Sequence, residues 1–224
     1  MIAVRPPEYF PRLAYVALMM HVDRFVLADT FQYSRQSYQN RTRVRNPDGW
    51  QWMSIPLKGG QHGRPIRAVE IDQRTVWLKK HWRALEYNYR SSPYFEWYEP
   101  DLRPFFGRTW THLAEATVAS VELVCRMLGL DVSRVRASSL PGSPATTVDV
   151  VRVVGGQTLI APEDVVPVER HHMEDVVAFR YEEPTYRQNF AGFEPGQSVL
   201  DVLFNYGPEA LAVIEQGLPR LHPS

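Results

Sequence analysis

Residues Ile2 to Asp29 read IAVRPPEYFPRLAYVALMMHVDRFVLAD, and this stretch decides the fold. Ile2 to Val4 has the character of a short buried strand, ended by Pro6 and Pro7, which cannot donate to a ladder. Pro11 is suited to open a helix, and Leu13, Val16, Leu18 and Met20 make that helix mostly buried. Phe25 to Leu27 is a second apolar strand, followed by Ala28 and Asp29. Strand, helix and strand at this spacing predict a parallel pair joined by a crossover helix. The fold class expected is therefore α/β, with a Rossmann-like, mainly parallel sheet flanked by helices.

Outward from this unit comes a β-hairpin insertion. Asn46-Pro47-Asp48-Gly49 is a turn signal between strands at roughly Arg41 to Arg45 and Trp50 to Leu57. Alternation puts Arg41, Arg43 and Arg45 on one face, either solvated or directed at an anion. Trp77 to Ser91 predicts a helix with Leu78, Trp82, Leu85 and Tyr89 as its buried stripe and Pro93 as its stop. Trp77, His81, Ala84 and Asn88 fall on an adjacent strip, at the edge of a cleft. A longer helix runs from about His112 to Leu128, with Thr111 as N-cap and Gly129 as stop. Strands are expected near Val135 to Ala137 and over Val176 to Tyr181. Val148 to Val154 reads equally as strand or helix. Ser198 to Gly217 predicts a helical C-terminal part, two short helices broken at Gly207-Pro208. With 224 residues, no repeat and no linker composition, one domain over 1–224 is expected.

Lys plus Arg and Asp plus Glu number 25 each, so the formal net charge is zero. A general nucleic-acid binder would need a basic excess, so that class is disfavoured. The single cysteine, Cys125, excludes an intrachain disulfide and a cysteine-built zinc site, and a reducing cytoplasm is the simplest compartment. Leu13 to Met20 is too short to span a bilayer, so no membrane insertion is expected. In His171-His172-x-Glu174, adjacent histidines on a strand would face opposite ways, so no metal site is expected. No phosphate-cradling glycine loop and no nucleophile-elbow serine occurs.

Several scattered motifs together resemble the WbqC-like protein family. They are Pro7-x-Tyr9-Phe10-Pro11 with Tyr15, Asp23-x-Phe25-Val26, Asp29-x-x-Gln32, Asn40-Arg41-x-Arg43 and the Trp52 to Pro56 strand. Further on come Trp77, Lys80-His81, Tyr89, Pro93-Tyr94-Phe95, Ser138-Ser139, Tyr186-x-Gln188 and Ser198-x-x-Asp201-x-Leu203-Phe204-Asn205-x-Gly207. The chain departs from the family pattern at Pro6, at Ala14 and in a shortened segment, Thr158 to His172, which leaves its acceptor open. The resemblance implies a cytoplasmic transferase that attaches an acyl or aminoacyl group, such as glycine, to an amine of an amino sugar or related metabolite. The setting implied is polysaccharide or specialised-metabolite biosynthesis. No tightly bound cofactor is expected; the donor would be carried on phosphopantetheine or tRNA, with an acyl-carrier protein as a partner.

Acyl transfer to an amine needs a base and donors for the oxyanion. His81 is the candidate base, with Asn88 as the orienting amide; a structural histidine is the competing role. Asp29, at a strand end, would position the amine or act as base, against a competing role in capping the following loop. Arg41, Arg43 and Lys80 suit a diphosphate. Gln32, Asn40, Tyr186, Gln188 and Asn205 suit sugar hydroxyls, or structural hydrogen bonds. Cys125, mid-helix, is expected to pack rather than react. Two other readings stay open: a non-catalytic binder of a nucleotide-sugar or carrier-linked substrate, and a nucleotidyltransferase-like enzyme.

Overall fold

The computed structural model describes residues 1–155 and 158–218. In chain order the elements are β1 (Ile2–Arg5), α1 (Leu13–Met20), β2 (Arg24–Leu27), β3 (Arg41–Asn46), β4 (Gly49–Ser54), α2 (Trp77–Tyr89), α3 (Phe95–Gly107) and α4 (Leu113–Leu128). Then follow β5 (Ser133–Arg136), α5 (Thr147–Val154), β6 (Leu159–Pro162), α6 (Val166–Arg170), β7 (Val176–Phe179), α7 (Val199–Tyr206) and α8 (Ala210–Glu215). Five strands form one parallel sheet in the order β5-β2-β1-β6-β7, and β3 and β4 form a separate antiparallel hairpin. The α/β class, the parallel sheet, the hairpin and the C-terminal helices are as the sequence predicts.

The period of two along the strands divides the core. Ala3, Phe25, Leu27, Ile160 and Phe179 point into a large cluster under α1, α4, α7 and α8. Ile2, Val4, Val26, Ala28, Leu159, Ala161 and Val176 point the other way, under Val150 and Val151 of α5 and Val166 of α6. Both faces of the inner strands are thus covered, which is why Ile2 to Val4, Phe25 to Leu27 and Leu159 to Ala161 read as unbroken apolar runs.

The chain lays β2 and β5 to one side of β1, then crosses over and lays β6 and β7 to the other. The strand order therefore reverses between β1 and β6. These two strands are in register only at Ile2 and Leu159, near their starts, whereas β1–β2, β2–β5 and β6–β7 are each paired at four positions. Their carboxyl ends are left unpaired with each other, where ligands of open α/β sheets bind.

Several elements depart from the sequence reading. α2 is rotated: Trp77, His81, Leu85, Asn88 and Tyr89 are buried, while Leu78 and Trp82 are half-buried. His81 and Asn88 therefore lie on the inner face, where His81 meets the Tyr9 hydroxyl and Asn88 bonds back to the Ala84 carbonyl of its own helix. α3 was hidden by Pro100 and Pro104 in its interior, which remove two helical donors. Burial of Phe95, Tyr98, Leu102 and Phe105 at helical spacing holds it nonetheless. The N-cap of α4 is His112, not Thr111; Glu115 accepts from the His112 and Thr111 amides. The stretch open between strand and helix is α5, capped by Thr146 accepting from the Asp149 amide and stopped by left-handed Gly155. His171 and His172 lie in a turn after α6, not in a strand.

The break between α7 and α8 rests on Gly207, at φ +55, where an added Cβ would sit 2.4 Å from the Tyr94 ring. Gly207→Ala should cost about 1–3 kcal/mol or more from overpacking alone. Urea denaturation measures it; a loss below about 0.5 kcal/mol would mean that Tyr94 moves aside freely.

Candidate functional site

The unpaired ends of β1 and β6 open into a crevice of about 480 Å³. Arg5 ends β1, Pro162 ends β6 and Phe179 ends β7, so three strand ends form its floor. Glu8 and Arg12, from the β1–α1 connection, line one wall, and Glu163, Asp164 and Arg180 line the other. Arg12 holds Glu8 bidentately, Nη2 to Oε1 at 2.6 Å and Nε to Oε2 at 3.3 Å. Burial works against the Arg12 charge, but Glu8 outweighs it and raises the guanidinium pKa. Arg180 pairs with Glu182 at 3.1 Å in an exposed contact. Glu163 and Asp164 are exposed and take part in no ion pair among the described residues. The Tyr181 hydroxyl is buried without a hydrogen-bond partner, and burial raises its pKa. The crevice thus offers guanidinium donors and carboxylate acceptors to one small molecule.

Arg12 also links this crevice to the hairpin. Its guanidinium carbon lies 3.7 Å from the Tyr38 ring centroid, and Tyr38 lies 5.6 Å from Trp52. The cross-strand pairing of Arg43 with Trp52 and Arg45 with Trp50 then builds a ladder. Arg41 stands 4.1 Å from the Trp52 centroid, and Arg43 stands 4.1 Å from Trp50 and 5.0 Å from Trp52. Arg45, the third of the row, is neither solvated nor free for an anion. It is 2 % exposed and donates to Gln188 Oε1 and to the carbonyls of Asn46, Gly49 and Ala191.

A second groove, of about 430 Å³, lies between the hairpin and α2. Trp52, Ser54, Lys80 and His81 line it, so the structure brings Lys80 and His81 together. His81 Nδ1 lies 3.0 Å from the Tyr9 hydroxyl, and the ring also bonds the Ser54 backbone. Burial depresses its pKa to about 4, so at neutral pH it is an uncharged imidazole engaged with Tyr9 and Ser54. Asn88 stands apart from this groove. Its Nδ2 donates to Ala84 O, and its Oδ1 is buried without a partner.

Asp29 is fully buried at the end of β2. It accepts from Arg136 Nε at 2.9 Å, from the Ser138 amide at 2.9 Å and from Ser138 Oγ at 2.6 Å. These bonds tie the end of β5 and the segment after it to the end of β2 and hold the carboxylate in a structural role. Gln32 is exposed, bridged to Pro65. Asn40 accepts from Tyr33 and donates to Ile55 O. Tyr186 donates to Asp201 Oδ2 at 2.8 Å, and Tyr89 donates to Asp201 Oδ1 at 2.9 Å. Burial raises the Asp201 carboxyl to about 6. Gln188 joins this network through Arg45, and Asn205 Nδ2 donates to Asp201 O. Gln188 and Asn205 meet in a further polar pocket of about 360 Å³ with Ser92 and Asn189. Cys125 is buried beside Met19, and burial pushes its thiol up to about 11.

The sequence alone does not point to Arg5, Glu8, Arg12, Glu163 or Arg180. Their meeting depends on β6 lying beside β1, and Leu159 to Pro162 gives no strand signal strong enough to place it. The Glu8-x-x-x-Arg12 spacing was the one local hint.

A family model for the WbqC-like protein family matches residues 6–213. The chain is 30% identical over 222 residues to a Mycobacterium tuberculosis protein printed as "Uncharacterized protein Rv1507c", covering 93% of this chain and 95% of that one. No solved structure matches. Among the described residues no helix is long and apolar enough to cross a membrane. The match covers the hairpin and four of the five strands of the parallel sheet, starting just after β1, and the chain belongs to the WbqC-like protein family.

Proposed function

We propose that this protein is a transferase that moves an acyl or aminoacyl group onto the amine of a small anionic metabolite, such as an amino-sugar phosphate, in polysaccharide or specialised-metabolite biosynthesis. The observation that supports it is the crevice at the strand-order reversal, where guanidinium and carboxylate groups face one volume. An acceptor bearing both an ammonium and a phosphate matches both signs. Arg5 and Arg180 bind the phosphate, and Glu163 and Asp164 hold the ammonium. In the reaction, one of these carboxylates takes a proton from the ammonium. The freed amine adds to the donor's acyl carbon, forming the C–N bond. The tetrahedral intermediate loses the nitrogen's second proton to solvent and expels the carrier thiolate or alkoxide, which takes the proton held by the carboxylate, leaving a neutral amide.

Isothermal titration with glucosamine 6-phosphate and its N-acetyl counterpart tests this. The amine should bind at least tenfold more tightly, and Arg5→Ala/Arg180→Ala should weaken it at least tenfold, the loss of a charge-assisted hydrogen bond of about 1.5–3 kcal/mol. Equal binding of the two sugars would overturn the amine assignment. A second reading, a non-catalytic binder of a carrier-linked substrate, is favoured by one observation. Asp29 and His81, the two groups best suited to acid–base work, are both already engaged. It predicts binding without consumption of any thioester donor.

A further inference from the structure

We propose that the arginine–indole ladder on the hairpin is a binding subsite for a diphosphate. Arg41 and Arg43 lie one residue apart on the same strand face, flanking the single indole of Trp52. Stacking uses the face of a guanidinium and leaves its in-plane donors free, which is the geometry that takes phosphate oxygens. Those donors are largely unspent. The Arg43 guanidinium makes no hydrogen bond or ion pair among the described residues; its Nε is buried without a partner, so the terminal nitrogens are the donors a ligand would reach. Arg41 Nε is likewise unpartnered, and only its Nη2 is used, on Gln36 O at 2.5 Å.

The contrast with Arg45 is informative. That residue follows the same alternation, yet four acceptors were found for it within the protein. Trp50 and Trp52 fix the other two arginines without consuming their donors. An arrangement of two oriented guanidiniums separated by an indole is wider than one tetrahedral anion held bidentately, and two linked phosphates suit it better. Glu183 is the carboxylate that feels Arg43. Both its oxygens accept from the Gly196 amide, and it makes no ion pair with the guanidinium among the described residues.

As the donor's handle, this subsite rests on the transferase reading; as a diphosphate site it is tested without turnover and away from the crevice. Isothermal titration with inorganic pyrophosphate, free of metal, is the experiment. The wild type should bind, with orthophosphate at least tenfold weaker. Arg43→Ala and Arg41→Ala should each weaken pyrophosphate at least tenfold. Arg43→Lys, which keeps the charge but not the fork, should recover only part of this. Arg152→Ala, a remote exposed arginine, should bind as the wild type does. Glu183→Gln should bind more tightly. Unchanged melting temperatures separate these effects from misfolding. Equal binding by Arg43→Ala, equal binding of orthophosphate, or the same loss in Arg152→Ala would overturn the proposal. UDP and coenzyme A both carry the group, and whichever binds more tightly than pyrophosphate names the source. Loss of glucosamine 6-phosphate binding with pyrophosphate retained would sink the acceptor assignment and leave this one standing.

Discussion

Arg45→Ala should destabilise the protein by about 3–5 kcal/mol, since each buried acceptor left unsatisfied costs about 1–3 kcal/mol. The side chain is 2 % exposed, and its donors reach the Gln188 amide and three backbone carbonyls across two segments. Truncation would take its donors from three backbone carbonyls and from Gln188 Oε1, which keeps the Glu194 amide, and would leave a void beneath Phe190, whose ring lies 5.7 Å from the guanidinium. For a domain of this size the melting temperature should fall by roughly 6–20 °C. Arg45→Lys keeps the charge but cannot fork to all four acceptors, so it should recover less than half of the loss. Calorimetry on the two variants checks this. A drop below about 3 °C in Arg45→Ala would show that residues 188–191 hold to the hairpin without it.

The second large effect is a pH dependence that the wild type conceals. Asp201 has its carboxyl raised from 3.8 to about 6 by burial, so it binds its proton more tightly folded than unfolded. Its contribution is fully present below about pH 4 and is lost as pH rises through 6. His81 is depressed from 6.5 to about 4, so the unfolded chain is the tighter proton binder there. Its contribution is present above about pH 6.5 and is lost as pH falls through 4. The two windows overlap and the slopes oppose, each worth roughly 3 kcal/mol at 1.36 kcal/mol per pH unit. Between pH 4 and 6 they nearly cancel.

Asp201→Asn removes one slope. The amide still accepts from one tyrosine and donates to the other, so the fold should persist at neutral pH. On acidification from pH 6.5 to 4 this variant should lose roughly 3 kcal/mol more than the wild type does. Urea unfolding at four pH values measures it. Parallel profiles for variant and wild type would mean that Asp201 does not contribute to the acid response.

The sequence reached the parallel sheet because β1, α1 and β2 carry strong local signals: apolar runs, prolines at the breaks and a buried helix between. The hairpin followed from Asn46 to Gly49, and α4 and α7 from their spacing. What failed had a physical reason in each case. Pro100 and Pro104 argued against α3, and only tertiary burial of Phe95, Tyr98, Leu102 and Phe105 holds it. Periodicity places the wrong face of α2 inward because it ranks residues by hydropathy, and His81 is buried through its hydrogen bond to Tyr9, which hydropathy does not register. Arg45 shared its alternation with Arg41 and Arg43, yet the 188–191 segment, distant in sequence, covers it alone. The crevice was out of reach because a strand order is not a local property, and the position of β6 beside β1 creates it.

The same distinction separates the candidate residues. Gln188, Tyr186 and Asn205 gather around Asp201, Asn40 and Asp29 brace loops and strands, and Lys80 and His81 share a groove. Arg41 and Arg43 each keep a buried Nε that no group among the described residues takes. The crevice supplies the mixed charge that an amine-bearing anion requires.

The most direct measurement is a mass-spectrometric assay of the full-length protein with glycyl-pantetheine and glucosamine 6-phosphate. The transferase account predicts an N-glycylated sugar phosphate formed with release of one free thiol per product, and at least a tenfold slower rate in Arg5→Ala/Arg180→Ala. Binding of the amine with no product from this or any other acyl or aminoacyl donor, or a rate unchanged by the double substitution, would contradict it.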